Sequence, residues 1–184
     1  MSELIQTDIC VIGAGSGGLS VAAGASQMGA STVLIEKGKM GGDCLNYGCV
    51  PSKALLAAGH AADAVRRGAR FGVETGEPRI DAKTVYGHVH GAIAAIAPND
   101  SVERFEGLGV RVIQAAARFT GPREVEAGGM RIRARRFVVA TGSSPFVPPI
   151  PGLAETPYFS NETLFDGGDA LPAHLIVIGG GPGG

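Results

Sequence analysis

Apolar and polar positions change their period several times along this chain, and each change marks an element. DICVIG, from Asp8 to Gly13, is a short, mostly apolar run of strand type. It leads through a cluster of glycines into LSVAAGASQMG, which reads as a helix, and STVLIEK then supplies a second strand ending in Glu36 and Lys37. PSKALLAAGHAADAV has helical spacing, with Pro51 suited to a first turn. Residues 81–108 read as helical too, with a break at Pro98-Asn99 and a fresh start capped by Asn99 or Asp100. Beyond them the period falls to two. GVRVIQAAARF, EVEA and MRIRARRFVVATG read as short strands, with Ala127-Gly128-Gly129 as a turn, so a small β-meander follows the helices. Near the end, HLIVIG offers one more strand.

Strand, helix and strand in that order predict an α/β fold with a parallel sheet. SSPFVPPIPG, Ser143 to Gly152, holds four prolines and reads as a stiff connection across a domain boundary. The expected organisation is therefore a domain over residues 1–150, then a linker and the first strand and glycine loop of a second nucleotide-binding domain over 151–184. A glycine loop without the helix that follows it lacks half of its phosphate site, so the chain reads as the front of a longer protein.

Composition changes the picture at one point. The 184 residues are 45% hydrophobic, enough for a real core, but 30 are glycine, which points to tight turns or to backbone that a ligand approaches closely. A net charge of −1 gives no electrostatic case for nucleic acid or an anionic membrane. The arginines of RIRARR fit an alternating strand, Arg131, Arg133 and Arg135 on one face with Ile132 and Ala134 inward. No basic leader or membrane-length apolar run is present, and the expected location is the cytoplasm. His60, His88, His90 and His174 have no ligand-like spacing with the cysteines, so no metal site is expected. Cys10, inside the first strand, is expected to be a small buried apolar residue.

Chemistry is concentrated in two places. The first is Gly13-Ala14-Gly15-Ser16-Gly17-Gly18, a G-x-G-x-x-G placed between strand and helix. Gly13 would make the tight turn, Gly15 admit a pyrophosphate, and Gly18 let helix pack on strand. The helix N-terminus would hold the phosphates and Glu36 would accept hydrogen bonds from a ribose. A second G-x-G-x-x-G occurs at Gly179, Gly181 and Gly184.

The second place is GGDCLNYGCVPSK, Gly41 to Lys53, where Cys44 and Cys49 have four residues between them. That spacing is neither a zinc ribbon nor a thioredoxin motif, which leaves a redox pair or coincidence. In the cytoplasm a close pair is more often catalytic than structural. On an ideal helix residues five apart stand about 9 Å apart, beyond the roughly 7 Å reach of a disulfide, so bridging them needs a break in the helix. Gly48 supplies the freedom. Cys49 would then begin the next helix, where the dipole favours a thiolate.

GAGSGG followed by an acid, then GGDCLNYGCVPSK, then ATG, resembles the pyridine nucleotide-disulfide oxidoreductases. DSVERFEGLGVRVI, SNETLF and HLIVIGGGPGG are most similar to the mercuric reductase and dihydrolipoyl dehydrogenase side of that family. The resemblance implies a Rossmann-like FAD domain with cofactor contacts along Gly13, Gly15, Ser16, Gly17 and Gly18. Further contacts are implied at Glu36, Lys37, Gly42 and Asp43, and Lys53 is implied to lie near flavin N5. It implies that Cys49 faces the flavin while Cys44 exchanges with substrate. Ala117 is implied to touch the adenine, simple strand packing being the alternative, and Ala140-Thr141-Gly142 to close over the cofactor. Electrons would come from NADH or NADPH, bound at Gly179, Gly181 and Gly184, and pass to a small disulfide or mercuric ion in a homodimeric intact enzyme. A catalytically silent FAD-binding fragment is the alternative. One position departs from the pattern: Asp43 stands where the family usually has threonine. A carboxylate there must turn from phosphate or meet an N–H or hydroxyl group.

Overall fold

The computed structural model describes residues 3–168 and 170–180. It divides into two compact units interleaved along the chain, Met1–Asn46 with Ile96–Ser144, and Tyr47–Ala95 with Pro145–Gly184.

The first unit is built on β1 (Leu4–Ile12), α1 (Ser16–Gln27) and β2 (Thr32–Glu36), with β1 and β2 parallel from Ile9 opposite Thr32 to Ile12 opposite Ile35. Parallel neighbours need a crossover, and α1 supplies it. A five-residue helix, α2 (Gly42–Asn46), follows β2. Later in the chain α5 (Val102–Gly107) leads into β3 (Val110–Gln114), which lies parallel to β2. Then β4 (Arg118–Gly121), β5 (Glu124–Ala127) and β6 (Met130–Val139) run antiparallel to one another, as the period-two segments predict. Gly128 and Gly129, with φ of 58° and 76°, make the β5–β6 turn, the double positive φ that a two-residue hairpin demands.

The six strands form one sheet in the order β3-β2-β1-β6-β5-β4. Periodicity alone groups β3 and β6 with the meander. In the structure β3 extends the parallel sheet, and β6 also pairs in parallel with β1 from Leu4 opposite Arg131 to Ile12 opposite Val139. Local periodicity does not report a partner over a hundred residues away. Buried Leu34, Val11 and Val110 pack with Leu19, Ala22 and Phe105 from α1 and α5. Cys10, Val33, Ile35, Ile113 and Ile132 form the other cluster, joined by Val125, Ala127 and Ala134. Ile132 and Ala134 are inward as expected, while Arg131 and Arg133 both grip Glu124. Midway along β1, the Asp8 carboxylate accepts from the Ser31 hydroxyl at 2.7 Å and from Arg135 at 3.0 Å.

In the second unit α3 (Cys49–Arg66) and α4 (Ala82–Ile96) carry the helical segments, and Ala54, Val89 and Phe165 form its small core. Asp81 caps α4 by accepting from the Thr84 N–H at 3.0 Å. The fresh start after Pro98 is capped by Ser101, whose hydroxyl accepts from the Arg104 N–H at 3.2 Å, rather than by Asn99 or Asp100. Those two lie in the short 3-10 turn Ala97–Asp100, which postpones the helix. The strand expected over HLIVIG does not form. Residues 175–178 have no strand partner among the described residues and remain exposed, and an apolar run with no ladder to join gains nothing from strand geometry.

Candidate phosphate loop and cysteine helix

Three strand ends meet behind the first glycine loop. Gly13 N–H donates to the Ile35 carbonyl at 2.8 Å, and Ala140 N–H donates to the Ile12 carbonyl at 2.8 Å, so the exits of β1, β2 and β6 are tied together. Gly13 is essential on two counts: its φ is 106°, and a Cβ there would lie 2.1 Å from the Ala140 oxygen. At Gly18 a Cβ would lie 1.8 Å from the Gly13 oxygen and 3.3 Å from a Val11 methyl, which is the helix-on-strand packing expected of it. Gly15 is different. A Cβ there would meet only the Gly42 Cα, at 3.9 Å, and at Gly17 it would meet nothing within 4 Å. The outer side of the loop is therefore open where its back is crowded.

The open side presents donors. Gly15 is the N-cap of α1 and offers no side chain, and the first turn holds no acidic residue. The first N–H groups of any helix lack partners inside it, so Ser16, Gly17 and Gly18 present bare donors and the positive end of the helix dipole. This fits an anion such as a pyrophosphate.

Glu36 does more than the sequence suggested. Its carboxylate accepts from Ala14 N–H at 2.6 Å and from Gly38 N–H at 2.7 Å, so it holds the glycine loop itself. Each carboxylate oxygen keeps a further lone pair, which leaves capacity for a ribose hydroxyl. Lys37 is exposed beside it, Thr141 and Gly142 are exposed beyond Ala140, and Gly142 has a φ of 66°. Ala117 is partly buried against the cluster that contains Ile113 and Ile132.

The cysteines stand on different helices. Cys44 is half-buried inside α2, in the first unit with the loop. The chain breaks at Tyr47-Gly48, and Cys49 is the exposed first residue of α3, which has Gly48 as its N-cap. The interruption foreseen from the spacing is present, and Pro51 falls in the first turn, where it is buried. Lys53 is exposed on α3 and Asp43 on the first turn of α2. The sequence reading missed Asn46. Its carboxamide donates to the carbonyls of Met40 and Gly42 at 3.0 and 2.8 Å, and the signal was an asparagine four residues after a glycine that begins a helix.

Cys10 is fully buried, and burial pushes its thiol up to about 12. Of the second glycine motif, Gly179 is exposed with a φ of 122°, while Gly181 and Gly184 lie outside the described residues. Among the described residues no helix is long and apolar enough to cross a membrane.

The chain is similar to known proteins. The chain is 34% identical to mercuric reductase from Streptomyces lividans over 95% of its own length and 38% of that protein's. It is 36% identical to mercuric reductase from Shigella flexneri over 93% of the chain and 31% of that protein. For dihydrolipoyl dehydrogenase from Thermus scotoductus the identity is 37%, over 95% of the chain and 37% of that protein. The chain thus spans about a third of the length of these relatives. Residues 7–184 match the pyridine nucleotide-disulphide oxidoreductases, from the first strand through both cysteines to the last glycine, and the chain belongs to that family.

Proposed function

We propose that this chain is the flavin-binding and dithiol-bearing portion of an FAD-dependent oxidoreductase that takes electrons from NADH or NADPH and delivers them to a small disulfide or to mercuric ion. The observation that carries it is the uncapped, acid-free N-terminus of α1 beside Gly42, two residues before Cys44. The family match supports it by running through both cysteines. Relatives named as mercuric reductases and as a dihydrolipoyl dehydrogenase support the two substrate classes. A cytoplasmic homodimer is the setting that the sequence reading proposes.

In this reading the bare N–H groups of Ser16, Gly17 and Gly18 hold the cofactor's pyrophosphate, and Glu36 receives its ribose hydroxyls while keeping Ala14 in place. Carried over from the resemblance, Ala140, Thr141 and Gly142 would border the same cofactor, Lys37 and Asp43 would add contacts to it, and Ala117 would offer backbone to an adenine. FAD, when bound, supplies a two-electron relay between a nicotinamide and a disulfide. The protein's own part is the thiol pair. Two electrons and two protons convert the Cys44–Cys49 disulfide to two thiols. Those thiols in turn reduce the substrate: Cys44 attacks a substrate sulfur, a mixed disulfide forms, and Cys49 resolves it as the second substrate thiol leaves. Lys53, one turn after Cys49, is the cation that the resemblance would assign to the flavin.

The test uses the full-length, flavin-loaded protein. Cys44→Ser should keep a long-wavelength thiolate-to-flavin absorption band and lose turnover, whereas Cys49→Ser should lose both. Turnover of a disulfide by Cys44→Ser overturns the assignment of roles.

A further inference from the structure

The turn that precedes Cys44 is fastened from both sides. From its far end, the Asn46 carboxamide uses its two donors on the carbonyls of Met40 and Gly42, at 3.0 and 2.8 Å. A flipped amide would set oxygen against oxygen, so these acceptors fix its orientation. From the near side, Gly41 N–H donates to the Ala14 carbonyl at 2.9 Å. Gly42, with φ 55°, sits so close to the glycine loop that a Cβ would fall 2.5 Å from the Gly15 Cα and 3.2 Å from the Gly15 nitrogen. Cys44 lies between the two fastenings.

We infer that Asn46 is a positioning residue. By closing the 40–42 turn against Gly15, it seats the helix bearing Cys44 on the phosphate loop, so that loop shape and the surroundings of Cys44 change together. The part of this that concerns FAD rests on the proposed function; the part that concerns the thiol does not.

The geometry at Gly15 separates coupling from simple damage. A Cβ at Gly15 meets Gly42 Cα at an ordinary contact distance of 3.9 Å, so Gly15→Ala is accommodated by the fold and intrudes only on the ligand. Asn46→Asp keeps the size of the side chain but removes both donors and sets a carboxylate against two carbonyls. Gly24→Ala, in α1 with nothing within 4 Å of the added carbon, is the control.

In the full-length protein, FAD affinity is measured by quenching of flavin fluorescence, and the alkylation rates of Cys44, Cys49 and Cys10 by peptide mass mapping of the flavin-free form after its cysteines have been reduced with a dithiol and the reductant removed under nitrogen. Asn46→Asp should weaken FAD binding by about fivefold or more, the loss of two hydrogen bonds that shape the site. It should also change the flavin-free rate at Cys44 severalfold, with Cys10 still protected. Gly15→Ala should lose FAD binding while Cys44 reacts at the wild-type rate, and Gly24→Ala should change neither. A wild-type rate at Cys44 in Asn46→Asp, or an equal change in Gly15→Ala, overturns the inference. If Cys10 becomes labelled in Asn46→Asp, showing that this variant does not fold, Gly42→Ala disturbs the same contact from the other side and is judged by the same rates. Wild-type protein that ignores FAD would sink the flavin reading alone, since the flavin-free rate at Cys44 still decides the coupling.

Discussion

Replacing Glu36 by alanine separates a residue that only waits for a ribose from one that holds the loop in its absence. The carboxylate accepts two backbone hydrogen bonds, from Ala14 at 2.6 Å and Gly38 at 2.7 Å. A hydrogen bond to a charged group contributes about 1.5–3 kcal/mol, and the half-buried setting favours the lower end because water can partly replace the lost acceptor. Glu36→Ala should therefore destabilise the flavin-free protein by about 2–3 kcal/mol. For a protein of this size that corresponds to a fall of roughly 5–10 °C in melting temperature. Glu36→Gln retains one acceptor and turns an amide N–H₂ toward the other donor, so it should fall by nearly as much despite its matched size. The assay is chemical and thermal denaturation of flavin-free wild type and both variants, followed by FAD titration of each. Flavin-free stability within about 0.5 kcal/mol of wild type in Glu36→Ala, the ordinary scatter of surface changes, would refute the loop-holding role and leave only a ribose contact.

Other positions give sharper or simpler outcomes. Gly13→Ala combines a φ of 106° with a Cβ 2.1 Å from the Ala140 oxygen and should cost roughly 3 kcal/mol or more, whereas Gly17→Ala, with nothing within 4 Å, should leave flavin-free stability unchanged; equal melting temperatures would contradict this. Asp8 is held below the usual carboxylate range first by the hydrogen bond from Ser31 and then by Arg135, and Glu124 is held low first by Arg131. A depressed folded value means stability that is present above the unfolded carboxylate range and is lost as pH falls through the folded value. Asp8→Asn with Glu124→Gln should thus flatten the acid limb below about pH 4, and an unchanged slope in denaturation midpoint against pH would count against it. Cys10, buried and with its thiol pushed up to about 12, should resist alkylation at pH 8 until the protein unfolds, and labelling in native conditions would contradict its burial.

The first supersecondary unit was readable because every signal in it is local. An apolar run, three glycines at fixed spacing, a helix and an acid lie within β1, α1 and β2, and Gly13 and Gly18 do what their spacing implied. The alternation of Ile132 and Ala134 with arginines was legible for the same reason. The parallel pairing of β6 with β1 was not, because a strand's own sequence states which faces are apolar and not which distant strand it joins. Ser101 won the cap over Asn99 and Asp100 because a 3-10 turn intervened, a competition of about one hydrogen bond that composition does not rank. HLIVIG has the right residues for a strand, but pairing is a property of two segments and its partner is not among the described residues. Within the site, residue types named a phosphate loop and a cysteine pair. The bonds from Glu36 to Ala14 and from Asn46 to Met40 and Gly42 needed coordinates, since acid and amide side chains choose among many backbone partners.

If Cys44 and Cys49 are the electron-accepting pair proposed above, reduced nicotinamide must change their reactivity. The most direct measurement is anaerobic reduction of the flavin-loaded, full-length protein by one equivalent of NADH or NADPH, followed by timed alkylation and mass mapping. Reduction should make two cysteines of this chain newly reactive, Cys44 and then Cys49, while Cys10 stays protected. Exposure alone would favour Cys49, so in flavin-free protein reduced instead with a dithiol the order should invert. A thiol map that reduced nicotinamide leaves unchanged, or labelling of Cys49 before Cys44 in the flavin-loaded protein, would contradict that proposal.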